Sequence, residues 1–307
     1  MKLLHFDDYK LGVLRGEEVV DITERVASRI GHADRRELMP KLIARFDEFR
    51  DGLGSGATIP LGSVTLRAPL PRPGNIVCMA VNYMEDGTRA APAPLNAFHK
   101  APSAVIGPNE TMVLPDAPAT IFEGEAEIAV VIGKRAANVS AAQAMNHVFG
   151  YVNFIDGSAR GLPPPGNVFF QMKSRGTFAP IGPWIVTADE IADPQKLRVR
   201  LSVNGTVKQD FSTSDMAHNI ARCIEWVSAI HPLEPGDILA TGTNHRGLSS
   251  FMDGDTVELE AEGLGKLTIK VRDPLKRTWS RETRLDRQNQ GFDTPTPQTG
   301  GKYAPAR

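Results

Sequence analysis

The chain holds only two cysteines, Cys78 and Cys223, in 307 residues. Each lies in an apolar segment and no C-x-x-C spacing occurs, which argues against a disulfide framework and against a zinc site. Long hydrophobic runs are also missing. No stretch approaches the about 18 continuous apolar residues of a membrane span, and "MKLLHFDDYKLGVL" has no apolar leader core, so a cytoplasmic protein without membrane contact is expected. An excess of either charge is absent as well: 35 basic residues face 36 acidic ones, giving a net charge of -1 and no electrostatic footing for nucleic acid. Ser158 and Ser174 lack a G-x-S-x-G elbow, and "GLGKL" lacks the phosphate-loop pattern. What remains is an ordinary globular composition, 41% hydrophobic and 23% charged, able to bury a large core. Small-molecule chemistry follows by elimination.

Punctuation divides the chain into three. Residues 1–70 read as a small N-terminal α/β module: short strands at "KLLHF", "LGVLR" and "EEVVDI", then a helical stretch from about Asp34 to Arg50 restarted at Pro40. "PRPG" opens a larger main domain over 71–275 in which short strands dominate. "NIVCMAV", "YVNFIDGSAR" and "FAPIGPWIVT" read as buried strands, Asn204-Gly205 as a hairpin turn, and residues from Asp215 to Ile230 as a helix with His218 on its polar face. Many strands with few helices predict an α+β, mainly β, closed or sandwich-like architecture with peripheral helices. Residues 276–307 form a basic extension, seven basic against three acidic, rich in Thr-Pro and Gly. They read as solvated, disordered or draped on a partner, with Trp279 and Tyr303 as candidate anchors on a neighbouring subunit.

The chemistry concentrates in "FEGEAEIAVVIGK", residues 122–134. A strand sends alternate side chains to one face, so Glu123, Glu125 and Glu127 align roughly 6 to 7 Å apart. The β-branched run after Glu127 places that strand in the interior, where unpaired carboxylates are costly. A hard divalent cation or basic side chains must answer them. The strand ending at Asp156, joined through a crossover helix over about 136–148, brings a third carboxylate toward Glu125 and Glu127, enough for half an octahedron with room for a bidentate substrate. Lys173 is either a partner of these acids or a surface lysine.

"FEGEAEIAVVIGK", "GYVNFIDGSAR", "KSRGTFAPIGPWIV", "VNGTVKQDFSTSDM" and "LEPGDILATGT", in that order, resemble the fumarylacetoacetate hydrolase family over roughly residues 71–272. The resemblance implies a mixed β-sandwich roll, a homodimer, and Mg²⁺ or Mn²⁺ on Glu125, Glu127 and Asp156, with Glu123 just outside the pair, supporting or solvated. It implies that Lys173 contacts the substrate oxygens and Thr243 the substrate carboxylate, with Tyr83 also on the substrate. The implied substrate is a small 2-oxo or 2,4-dioxo acid.

The chain departs from the family at one point. Hydrolytic members carry a histidine and a glutamate after "NY", where this chain has "NYMEDGTR", with Asp86 at the histidine position and Arg89 at the glutamate position. Replacement bases are Glu85, Asp86 or His245, the last followed by Arg246, which can clamp a second carboxylate. His99 is a further candidate for the pocket wall, and the remaining histidines read as structural or solvated. Hydrolytic C–C cleavage is therefore expected first; isomerisation, decarboxylation or dehydration of a 2-oxo acid is the alternative, and a non-catalytic carboxylate-binding protein the third reading.

Overall fold

A computed structural model describes residues 1–31, 34–164, 166 and 169–304; His32 lies outside the described residues. The alternating runs assemble into two large sheets packed face to face, with a separate two-stranded ribbon of Thr278–Trp279 and Gln298–Gly300, a mainly β, α+β fold. The larger sheet has twelve strands, in the path Thr58–Pro60, Glu18–Asp21, Lys10–Arg15, Lys2–Phe6, Ala179–Thr187, Val148–Arg160, Ile121–Ile132, Ile238–Ala240, Ile76–Met79 and Ala97–Lys100. Leu66–Arg67 and Val105–Ile106 pair off this path. The smaller sheet runs Thr206–Ser212, Arg198–Val203, Thr256–Ala261, Lys266–Arg272 and Thr111–Val113.

At the centre lie two long antiparallel strands, Ile121–Ile132 and Val148–Arg160, buried almost throughout. Their two faces meet different cores. Ala126, Ile128, Val130 and Ile132 join Leu201, Val257 and Leu267 of the second sheet, while Ala129 and Val131 pack with Leu42, Cys78 and Ala240 on the other side. On that second face the apolar row of Val131 and Ala129 gives way to Glu127, Glu125 and Glu123. Strand period alone thus aims three carboxylates into the interior beneath the segment after Met79.

Asn204 and Gly205 take φ of 52° and 77° and join Arg198–Val203 to Thr206–Ser212, the left-handed pair a two-residue hairpin turn requires. Asp156 is not a strand end: its strand continues to Arg160, and it sits directly opposite Glu125 in the ladder. No crossover helix joins the two strands, since antiparallel neighbours need none, and only Ala141–Ala144 is α-helical between them. The stretch from Asp34 contains a short helix, Leu38–Ala44, with Pro40 in its first turn, where a missing N–H breaks no bond; a further helix at Thr23–Ile30 was not anticipated. The helix placed from Asp215 starts instead after Asn219, whose side chain accepts from Arg222 N–H, and His218 therefore precedes the helix.

The basic extension folds onto its own chain. Arg277 is fully buried, donating to Asp273 and to the carbonyls of Pro115 and Ala117, and it lies 4.5 Å over the Phe122 ring. The Trp279 indole donates to the Thr120 carbonyl at 2.7 Å, and the Tyr303 hydroxyl to Asp116 at 2.7 Å. Both aromatics proposed as anchors on a neighbour are thus engaged within the chain. A helix, Arg284–Asn289, opened by a Thr283–Asp286 capping box, then lies against the loop that follows Thr243. Among the described residues no helix is long and apolar enough to cross a membrane.

Candidate active site

Glu125, Glu127 and Asp156 each offer an oxygen within 4.8 Å of the others, and all three are buried. So much negative charge needs an answer. Lys173, at the end of the helix Phe169–Lys173, places Nζ 2.5 Å from Asp156, 3.0 Å from Glu125 and 2.7 Å from the Ser158 hydroxyl. Lys100 reaches the other Asp156 oxygen at 2.5 Å from the strand Ala97–Lys100. Arg160 donates to Glu125 and, at 3.1 Å, to Glu123.

Glu123 is not solvated. It is fully buried, and its carboxylate accepts from Arg160 and from Arg284 of the C-terminal helix, the latter at 2.6 Å. Burial raises the pKa of Glu125, but the charges of Lys173 and Arg160 outweigh it and hold the carboxyl well below its ordinary value. Glu127 goes the other way. Burial, then the negative charge of Asp156 and Glu125, push it well above the ordinary carboxylate range.

Glu127 also has an incomplete set of partners. One oxygen accepts the Gly242 N–H at 2.6 Å, while Oε1 is buried without a hydrogen-bond partner. Gly242 holds φ at 88° to present that N–H, with a Cβ position only 3.0 Å from the Asn82 Cβ. Three oxygen donors, one of them unsatisfied and electrostatically crowded, fit a hard divalent cation.

Beside the acids is a small cavity of about 50 Å³, lined by Val81, Phe98, Arg160, Lys173, Thr243 and His245. The Thr243 hydroxyl donates to the Ala126 carbonyl at 2.7 Å and accepts from Gln209 at 2.9 Å. His245 Nδ1 lies 2.6 Å from Glu85, whose other oxygen accepts the His245 backbone N–H at 2.8 Å. Burial raises the Glu85 pKa, yet the hydrogen bond and charge of His245, with Arg89 adding to them, bring it below its ordinary value. Glu85 and His245, considered above as rival bases, are one pair.

The structure separates other candidates from the acids. Asp86 faces outward and pairs with Arg246 at 3.0 Å. Tyr83 is fully buried against Phe211 with 5.1 Å between ring centroids, in the core rather than on the cavity wall. His99 alternates away from Phe98 and Lys100 and stands exposed beside His231 at 5.3 Å, so it does not line the cavity. Sequence reasoning missed Lys100, Arg160, Arg284 and Gln209. Lys100 had a signal: it sits at the same strand parity as Phe98 in "AFHK", a polar residue where an inward-facing one belongs.

Comparison with known proteins places this arrangement. Residues 75–272 match the family model described as fumarylacetoacetate (FAA) hydrolase, C-terminal. The chain is 31% identical over 294 residues to maleylpyruvate hydrolase of Aquipseudomonas alcaligenes, covering 89% of this chain and 99% of that one. It is 37% identical over 225 residues to the mitochondrial oxaloacetate tautomerase FAHD2A of Bos taurus, covering 69% and 71%. The crystal structure of maleylpyruvate hydrolase from Sphingobium sp. SYK-6, in complex with manganese(II) and pyruvate, superposes with a TM-score of 0.78 at 34% identity, over 89% of this chain and 99% of that one. With its acids, lysine and central strands all inside the matched segment, the chain belongs to the fumarylacetoacetate hydrolase family.

Proposed function

We propose that the chain is a Mg²⁺- or Mn²⁺-dependent hydrolase that cleaves a C–C bond in a small 2,4-dioxo acid of the acylpyruvate type, acting as a cytoplasmic homodimer. The observation that carries this reading is the buried triad of Glu125, Glu127 and Asp156, with Glu127 Oε1 unpartnered, opening on His245 and its Glu85. The related maleylpyruvate hydrolase that holds manganese and pyruvate supports the metal and the substrate class. The homodimer rests on the family resemblance, and the reducing compartment on two free, buried thiols.

A divalent cation on the three carboxylates would supply positive charge to the carboxylate and 2-oxo oxygens of the substrate. Lys173 adds a second positive charge and fixes the orientation of Glu125 and Asp156. Thr243 and Phe98 bound the space in which the acid lies. His245 is the base. An ionised Glu85 can only accept, so Nδ1 carries the proton and Nε2 is left to take one from water; the carboxylate then steadies the imidazolium that forms. Water adds to the 4-oxo carbon, the bond to C3 breaks with its electrons passing toward the 2-oxo oxygen, and C3 takes up a proton. The products are a carboxylic acid and a 2-oxo acid.

The second reading is keto–enol tautomerisation of a 2-oxo acid, in which His245 carries a proton between C3 and the 2-oxo oxygen. The small inner cavity favours it, because a one-base shuttle needs no attacking water. The test is turnover of acetylpyruvate and oxaloacetate by metal-free and Mg²⁺- or Mn²⁺-loaded protein, with products resolved by mass. Metal-dependent uptake of one water supports hydrolysis. A mass-neutral change replaces it with tautomerisation, loss of CO₂ with decarboxylation, and binding without turnover with a carboxylate-binding role.

A further inference from the structure

Outside His245 the inner cavity adjoins a larger recess of about 370 Å³, with Val81 and His245 forming walls of both. The recess has an unusual lining. Arg89 comes from the "NYMEDGTR" segment, Arg246 from the loop after Thr243, and Arg284 with Gln288 from the C-terminal helix. That helix lies beyond the family match, which ends at residue 272. Backbone bonds from Arg284 N–H to the Leu248 carbonyl, 2.9 Å, and from Leu285 N–H to the Arg246 carbonyl, 2.8 Å, fix it to the loop that carries His245.

Arg284 is paired with Glu123 through two nitrogens, but the other two arginines are not fully engaged. Arg246 meets Asp86 through one nitrogen at 3.0 Å, and its Nε is buried without a partner. Arg89 approaches Glu85 only to 3.8 Å, beyond hydrogen-bond range, and its Nε is likewise buried and unpartnered. Both Glu85 oxygens already accept a hydrogen bond from His245. Guanidinium groups converging on a recess with donors unsatisfied match the planar, two-oxygen geometry of a carboxylate.

We propose that this recess binds the second carboxylate of a dicarboxylic substrate, and that the C-terminal extension, through Arg284 and Gln288, is one wall of the active site and a determinant of its specificity. The inference rests on the functional reading above, since a substrate anchored by its 2-oxo acid end at the three carboxylates extends past His245 into the recess. Arg284 serves two roles at once. It pairs with Glu123 beneath the acids and lines the recess beside Arg89.

The test compares 2-oxoglutarate with 2-oxopentanoate, which share a carbon chain and differ in the second carboxylate, by calorimetric titration of the full chain with and without Mn²⁺. The Mn²⁺-loaded protein is expected to bind 2-oxoglutarate about tenfold or more tightly than 2-oxopentanoate, the scale of one charge-assisted arginine contact. Arg89→Ala and Arg284→Met should each bring the ratio toward one. Should Arg284→Met fail to fold, Arg89→Ala and Gln288→Ala carry the test, since both alter side chains at the recess without removing a partner of Glu123. Metal-dependent binding of both acids with equal affinity overturns this inference and leaves the metal-site reading standing. Binding of neither acid overturns both. A preference that survives Arg89→Ala together with Arg284→Met overturns the role given to Arg89 and to the C-terminal extension.

Discussion

Glu85 and His245 stand 160 positions apart in the chain and meet through a 2.6 Å contact at Nδ1, reinforced by a second bond from the His245 backbone N–H. A histidine–glutamate pair, absent from the segment where hydrolytic relatives carry it, is present here in space. His245→Ala should lower kcat by about 10² to 10⁴ while leaving Mn²⁺ affinity near wild type. Glu85→Ala should cost less, and the double variant should lose no more than His245→Ala alone, the outcome expected of the proposed arrangement in which the carboxylate acts through the imidazole. Strictly additive losses in kcat would show two independent groups.

The acids make a prediction of opposite signs. Glu127→Gln removes one of three crowded carboxylates and keeps an acceptor for the Gly242 N–H, so the metal-free protein should melt at a higher temperature than wild type. Mn²⁺ should raise the Tm of the wild type, and the same variant should lose that rise. Asp156→Ala should lower the metal-free Tm sharply. It strips Lys100 and Lys173 of a shared partner inside the core, a loss on the order of 3 to 5 kcal/mol. Scanning calorimetry of the three proteins with EDTA and then with Mn²⁺ tests both signs; equal destabilisation by the two variants would refute the asymmetry.

What the sequence could convey about this site was set by distance along the chain. Strand alternation placed Glu123, Glu125 and Glu127 on one face, and the apolar run after them put that face inside. Thr243 was reachable only through family motifs. The partners that neutralise the acids come from elsewhere in the chain: Lys100 from an edge strand, where only its parity with Phe98 pointed inward, Arg160 from the far end of the next strand and Arg284 from the tail. His99 misled for the same reason. Its neighbour Lys100 has the inward parity, and parity is fixed only once the strand's register is known.

Arg277 joins the extension to the core, with four hydrogen bonds to Asp273, Pro115 and Ala117 under the Phe122 ring. Arg277→Ala leaves Asp273 buried without its partner and should cost about 3 to 5 kcal/mol. Chain ending after residue 282 retains Arg277 and Trp279 and should cost far less stability, yet it removes Arg284 and exposes Glu123 to solvent. Urea unfolding separates the two. Equal losses would mean that the C-terminal helix, rather than the Arg277 anchor, holds the extension in place.

His5 gives a pH dependence independent of the metal site. It is fully buried in the first strand, its Nδ1 is 3.0 Å from the Tyr9 carbonyl, its Nε2 has no partner, and burial lowers its pKa to about 4. Unfolded, the same imidazole takes a proton near its ordinary value of 6.5. Between those two values the unfolded state binds more protons than the folded one, so stability falls as the pH is lowered through this window and is whole again above it. The loss approaches about 3 kcal/mol by pH 4. His5→Gln lacks the titrating group, so the stability difference between wild type and variant should narrow or reverse on acidification, measured by urea unfolding in EDTA at pH 7 and near pH 4.5. An unchanged difference across that range would place the acid sensitivity of this fold elsewhere.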